Sequence, residues 1–421
     1  MLSSSSISRR FSVMDTGITQ VAKDIFWIGV NDWDTREFHS MQAPVGTSYN
    51  SYLINSNEPT VIDAVKYTMV NGWIKRLKTV GGEDLKGIKR IIMQHAEPDH
   101  TSGLPILLEK APHIEVVCTK QNLDTLSRFY KTKDWNVKLV NLNEPFSVGD
   151  REVVMAGVPM AHWPESAVTY VPSQKVLFSS DVFGQHIAST KRFYDEVDPC
   201  LYKSELKTYY ANILMRHGRP VLNALKAVSS LPGVEVVLPA HGVGFRRQQD
   251  IAMGVKQYTE WAKHNPQPKV SVIYDCNWFG TEKMAVAIAS GAGKVDGVDV
   301  QMFHARKTHI TRVAAEALDS ACLALGSAVL HENVLPDMAM HLQYLRCLGI
   351  KNKAGAIFGT YGWSEATVPK EIRSQLINPT KITEVCDPVM AHWGPSEEDF
   401  KKCEEMGKKL AEVAIEKASK K

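Results

Sequence analysis

The run IIMQHAEPDH, residues 91–100, constrains the fold of this chain more than any other stretch. Ile91, Ile92 and Met93 have the character of a buried strand, and within six positions beyond it stand His95, Glu97, Asp99 and His100. Four titratable groups at the end of a buried strand are costly unless one opposite charge compensates them together. A metal is the natural compensator. Four specified ligand types at this spacing arise by chance in well under ~1% of such chains.

Three more strand-like runs lead into a ligand: REVVMAGVPMA into His162, KVLFSS into Asp181 and VEVVLPA into His241. Alone, either histidine reads as a surface or satisfied core residue, and Asp181 as a turn or helix cap. Strand ends on one rim of a sheet can converge, however, and seven ligands suit two metal ions. Four imidazoles and three carboxylates offer only nitrogen and oxygen, a donor set that fits iron or manganese better than a sulfur-rich zinc site.

A chain of 421 residues exceeds one ordinary core and implies two domains. The boundary is expected at HNPQP, residues 264–268, giving domains 15–265 and 266–421. Upstream, the runs SYLIN, IKRIIMQ, IEVVCT, REVVMAGV, KVLFSS and VEVVLPA predict a mixed α/β sandwich. Downstream, VSVIYD, VDVQMFHA, ACLALGSAVL, KAGAIFGTYG and KITEVCDPV alternate with helices starting near residues 281, 312, 335, 365 and 396. That βα alternation predicts a doubly wound, five-stranded parallel sheet.

No apolar run approaches the ~20 residues of a bilayer span, so no membrane insertion is expected. The net charge of +3 and the scattered basic residues lack the footprint of a nucleic-acid binder. Seven cysteines without a C-x-x-C pair fit a reducing compartment and no cysteine-bound zinc, rubredoxin or iron–sulfur module. Residues 1–14, MLSSSSISRRFSVM, are serine-rich and acid-free with an arginine pair, similar to a hydrogenosomal or mitochondrial import presequence. The alternative is a plain tail on a cytoplasmic protein.

In the second half, YDCNWFGTEKMA (274–285) follows the first strand and opens a helix, as a phosphate loop does, placing Cys276, Asn277, Trp278, Gly280 and Thr281 at an anion-binding helix N-terminus. GSAVLHEN (326–333) contributes Ser327, Ala328, Val329, Leu330 and His331 after the third strand. GTYGWSE (359–365) contributes Thr360, Tyr361, Gly362 and Trp363 after the fourth. An open α/β sheet binds its ligand at such strand ends, and the ligand expected here is FMN.

The ligand pattern resembles the metallo-β-lactamase fold, whose hydrolases usually carry H-x-H-x-D-H. Glu97 replaces the middle histidine, and in this the chain resembles flavodiiron proteins, from about residue 18 to residue 418. The resemblance implies an N-terminal αββα sandwich with two non-haem iron ions, then a flavodoxin-like FMN domain. It implies that His95, Glu97 and His162 hold one iron and Asp99, His100 and His241 the other, with Asp181 bridging and His39 beside them. It implies reduction of O2 to water with four electrons, or alternatively of NO to N2O. The electrons are expected from an external rubredoxin or flavin/NADH reductase, as in the minimal two-domain type, and the assembly is expected to be a head-to-tail homodimer or homotetramer. The chain departs from the family at Cys276 and Gly280 (usually hydroxyl residues), at Ala328-Val329 (usually Pro-Thr), near His331 and at Glu365, so phosphate or ring contacts there fall to the backbone. A zinc hydrolase would leave Glu97 and the second half without a role, and a simple electron carrier would leave the metal cluster without one.

Overall fold

The computed structural model describes residues 17–420, so the presequence reading for residues 1–14 lies outside the described residues. Two units result. The first comprises residues 17–39, Ala43–Tyr209 and Arg219–Gln257, and the second Ser40–Gln42, Tyr210–Gly218 and residues 258–420. Among the described residues, no helix is long and apolar enough to cross a membrane.

The first unit contains a seven-stranded sheet in the order Thr19–Ala22, Ile25–Trp27, Tyr52–Ile54, Thr60–Ile62, Arg90–Ile92, Glu115–Cys118 and Val137–Leu139. A five-stranded sheet follows: Pro145–Val148, Arg151–Gly157, Ala167–Val171, Val176–Ser180 and Val236–Pro239. Because successive side chains point to opposite faces, Trp27, Ile54, Ile62, Ile92 and Val117 pack on Met155, Val171, Phe178 and Leu238 inside the sandwich. Their neighbours Phe26, Leu53, Val61, Ile91 and Val116 face outward, against Trp73 and Leu77 of helix Val70–Gly81 and Leu107 of helix Leu104–Lys110. Both faces of the first sheet are therefore apolar, which is why its strands read as continuous hydrophobic runs. Each fully buried Ile or Leu contributes roughly 1.5–3 kcal/mol.

In the second unit the parallel order is Asp299–His304, Gln267–Asp275, Ser320–Leu330, Ala354–Tyr361 and Thr383–Glu384. This is the doubly wound 2-1-3-4-5 arrangement. Helices begin at Gly280, Ile310, Pro336, Thr367 and Glu397, close to the expected starts. The helices Gly280–Gly293 and Glu397–Ser419 cross at two glycines: a Cβ on Gly291 would stand 2.0 Å from the Glu404 carbonyl oxygen, and one on Gly407 2.0 Å from that of Ile288. The close crossing holds the helix that opens the phosphate loop.

Two expectations need correction. KITEVCDPV is not one strand but two short segments, Thr383–Glu384 and Val389–His392, both paired with Ala354–Tyr361. Pro388 has no N–H for the ladder, so pairing resumes only after it. HNPQP is also less disruptive than its prolines suggest, because the strand Gln267–Asp275 already includes Pro268, with a register irregularity between Gln267 and Val270.

Glu205, on helix Pro199–Tyr209, is 7% exposed, and burial pushes its carboxyl up to about 7. The folded state therefore binds this proton more tightly than the unfolded chain, so the group's contribution is intact below the ordinary carboxylate range and is lost as pH rises towards 7. Glu205→Gln should match the wild type near pH 4.5 and exceed it by up to about 3 kcal/mol at pH 8. Paired denaturation curves at the two pH values check this, and an unchanged difference would contradict it.

Candidate metal centre and flavin cleft

Strand Arg90–Ile92 ends at the sheet rim, and Asp63 fixes the exit by accepting from the Gln94 amide N–H (2.9 Å) and from Nε2 of Gln94 (2.7 Å). Glu97 then stands just before a single turn, Pro98–Thr101, without capping it by its side chain, and the turn's first residue is a proline already set for helix. That turn places Asp99 and His100 side by side. His162 comes from the loop after Arg151–Gly157, while Asp181 and His241 follow the neighbouring strands Val176–Ser180 and Val236–Pro239.

All seven side chains converge in two groups. His95 Nε2 and His162 Nε2 each lie 3.1 Å from Glu97 Oε2, and 3.5 and 3.3 Å from Asp181 Oδ2. His241 Nε2 and His100 Nε2 lie 3.0 and 3.2 Å from Asp99 Oδ2, and 3.6 and 3.2 Å from Asp181 Oδ1. Asp181 thus turns one oxygen to each group.

The donor atoms behave as metal ligands should. Nε2 of His100, His162 and His241, both carboxylate oxygens of Asp99 and Oδ2 of Asp181 are buried without a hydrogen-bond partner. Such orphans are rare unless a bound species satisfies them. The far ring nitrogens are engaged: His95 Nδ1 donates to Glu165 Oε1 (2.9 Å) and His241 Nδ1 to the Ser48 carbonyl (2.7 Å), which leaves each Nε2 lone pair facing inward. Burial alone would raise Glu97, but His162, His39 and His95 hold its carboxyl far below the usual range. Asp181 is likewise held low against burial by His100 and His162. Three ionised carboxylates in one buried site make a field that attracts cations, and the N/O donor set fits two iron ions.

Several supporting residues had no local signal in the sequence. Glu165 also accepts from the Ala96 amide N–H at 3.1 Å, and the Tyr209 hydroxyl donates to Asp181 Oδ1 at 3.0 Å. His186 Nδ1 meets the Thr47 hydroxyl at 2.8 Å, and burial pushes the ring well below the ordinary histidine range. His39, by contrast, was expected beside the ligands, and its Nε2 stands 2.9 Å from Glu97 Oε1. Glu165→Gln should weaken iron binding about 10- to 100-fold with the fold intact. Iron retention against a graded chelator measures this, and wild-type retention would show that Glu165 only packs.

The second unit holds a cleft of about 400 Å³ at the carboxyl ends of its strands. Among the expected flavin residues, Cys276, Asn277, Trp278, Gly280, Thr281, Ala328, Val329, Thr360, Tyr361, Gly362 and Trp363 line it. Ser327, Leu330 and His331 do not. Ser327 is fully buried, donating to the Ala328 carbonyl and accepting from the Leu335 N–H. Leu330 and His331 lie at a tight hairpin, where His331 and Glu332 both have positive φ. Trp393 was not expected, yet it lines the cleft, 6.0 Å from the Trp363 ring and close over Gly362.

The cleft suits a phosphorylated, flat aromatic ligand. The N-terminus of helix Gly280–Gly293 opens on it, and the Thr281 and Thr360 hydroxyls lie 3.0 Å apart beside that opening. Fully buried Asp275 stiffens the loop by accepting from the Cys276 N–H, His304 Nε2 and Arg306 Nη2. Trp278, Trp363 and Trp393 supply exposed ring faces around the rim.

A family model described as ODP family beta lactamase matches residues 47–242. A nitric oxide reductase of Moorella thermoacetica is 32% identical, covering 93% of this chain and 97% of its own length. The rubredoxin-oxygen oxidoreductase of Megalodesulfovibrio gigas is 30% identical over 93% of this chain and 97% of its own. The solved flavodiiron protein from Giardia intestinalis aligns with a TM-score of 0.91 at 32% identity, covering 96% of this chain and 98% of that one. With such likeness across both units, this chain belongs to the flavodiiron protein family.

Proposed function

We propose that the chain is an oxidoreductase that reduces O2 to water, with two non-haem irons in the first unit and FMN in the second. The observation that carries this is the buried convergence of seven ligands in two groups that share Asp181. With the cofactors bound, the iron pair and the reduced flavin supply two electrons each, the four that O2 requires. His95, Glu97 and His162 hold one metal position, Asp99, His100 and His241 the other. Asp181 spans them, oriented by the Tyr209 hydroxyl at 3.0 Å. Glu165 and the Ser48 carbonyl fix two imidazole rings, so the ligand atoms need little reorganisation. The helix N-terminus at Gly280 and Thr281 takes the FMN phosphate, and Tyr361, Trp363 and Trp393 offer aromatic faces to its ring.

Reduction of NO to N2O is the second reading, favoured by the name of the Moorella relative. An external donor of rubredoxin or reductase type supplies the electrons. The decisive experiment reduces the protein anaerobically, then follows reoxidation by O2 and by NO with product analysis. Water from O2 faster than N2O from NO supports the proposal, and the reverse order selects the second reading. Zinc without flavin absorption would return the chain to hydrolysis.

We further propose import into a hydrogenosome or mitochondrion-related organelle, from the acid-free, arginine-bearing start of the sequence. Deleting residues 1–13 should leave activity unchanged and abolish organelle delivery. Unaltered delivery of the truncated protein would refute the import role.

A further inference from the structure

We propose that the second unit carries an anion site separate from its flavin cleft, suited to a ligand with two or more phosphate-type negative charges. A cleft of about 520 Å³ is lined by Arg216, Arg346, Lys351 and Lys381 around Gly349 and Pro379, with no acidic side chain in its wall. Among the described residues, none of the four cations forms an ion pair.

The alternative explanation is that these cations serve helix ends. Helix Pro336–Leu348 ends here at Gly349, whose φ is +67°, and Arg216 Nη1 donates to the Cys347 carbonyl at 3.1 Å. The short helix Asn378–Thr380 ends at Lys381. Each helix end offers at most about half a negative charge, so together they offset about one of the four positive charges. A surplus of roughly +3 stays in one concavity. Of the cleft's cations, Lys351 also acts on buried His264, which is pushed down to about 4 by burial first, then by Lys353 and Lys351.

The site's place in the fold keeps it apart from FMN. Lys351 precedes strand Ala354–Tyr361 and Lys381 precedes Thr383–Glu384, so the cleft lies at the amino ends of the strands, whereas the flavin cleft lies at their carboxyl ends. Eight strand residues separate the two rims by about 25 Å. Two guanidinium forks and two ammonium groups match phosphate oxygens, the forks in bidentate fashion. The volume accommodates a pyrophosphate-sized ligand.

The test titrates inorganic pyrophosphate into the flavin-loaded full chain by calorimetry at constant ionic strength, with FMN content measured in every sample. We expect one saturable site per chain. Arg346→Gln with Lys381→Gln should weaken it roughly tenfold or more, whereas Lys401→Gln with Lys409→Gln, which do not line the cleft, should leave it unchanged. Absence of saturable binding overturns the proposal. Equal weakening by both pairs also overturns it, by reducing the effect to diffuse charge. Loss in Thr281→Asp but not in the cleft pair would place pyrophosphate in the phosphate loop and overturn it as well.

Discussion

Asp181→Ala is expected to empty both metal positions together and to lower activity by more than about 100-fold, beyond the range for residues that merely support a ligand. Its two oxygens face different histidine pairs, at 3.3 and 3.5 Å on one side and 3.2 and 3.6 Å on the other. Neutral imidazoles leave only three carboxylates to balance two divalent ions. Removing one raises the residual charge of a buried site, and a buried uncompensated charge is strongly unfavourable. The variant also removes the carboxylate to which the Tyr209 hydroxyl donates. Iron per chain, activity and circular dichroism on one preparation check the expectation. A folded variant with full iron and full activity would rule out Asp181 as the shared ligand.

The convergence of the seven candidate ligands was legible because each follows an apolar strand, and a charged residue there has few bland explanations. His95, His162, Asp181 and His241 are all marked by the run before them. Glu165 and Tyr209 act from 70 and 28 positions away in sequence, so no local spacing announces them. The central strand Ala167–Val171 went unnamed among the expected strands although every residue in it is buried, since AVTYV mixes polar and apolar residues that only the two flanking strands explain. In the second unit the βα alternation sufficed for topology. It failed at Leu330 and His331, where the third strand runs on into a hairpin, and at Trp393, which follows a strand segment hidden by Pro388.

Pairing two inactive variants should restore activity if the working unit is a two-fold, head-to-tail dimer, which we propose from the flavin rim. Trp278 is 87% exposed, Trp363 70% and Trp393 64%, an apolar cluster that invites a cover beyond bound FMN. A two-fold axis lets each subunit present its flavin cleft to its partner's metal site, since both copies contribute the same two surfaces. His100→Ala removes a metal ligand but leaves the flavin cleft untouched. Thr281→Asp sets a negative charge at the helix N-terminus where a phosphate would sit, and leaves the metal ligands in place. Each variant alone should be inactive. In a randomised mixture about half the dimers are hybrids, and each hybrid holds one junction where intact flavin faces intact metal, so activity should return to roughly a quarter of wild type. Subunit exchange is monitored with two affinity tags, and the doubly tagged hybrids, measured alone, should show about half of wild-type activity. If hybrids form and activity stays at zero, electron transfer runs within one chain and the head-to-tail arrangement is wrong.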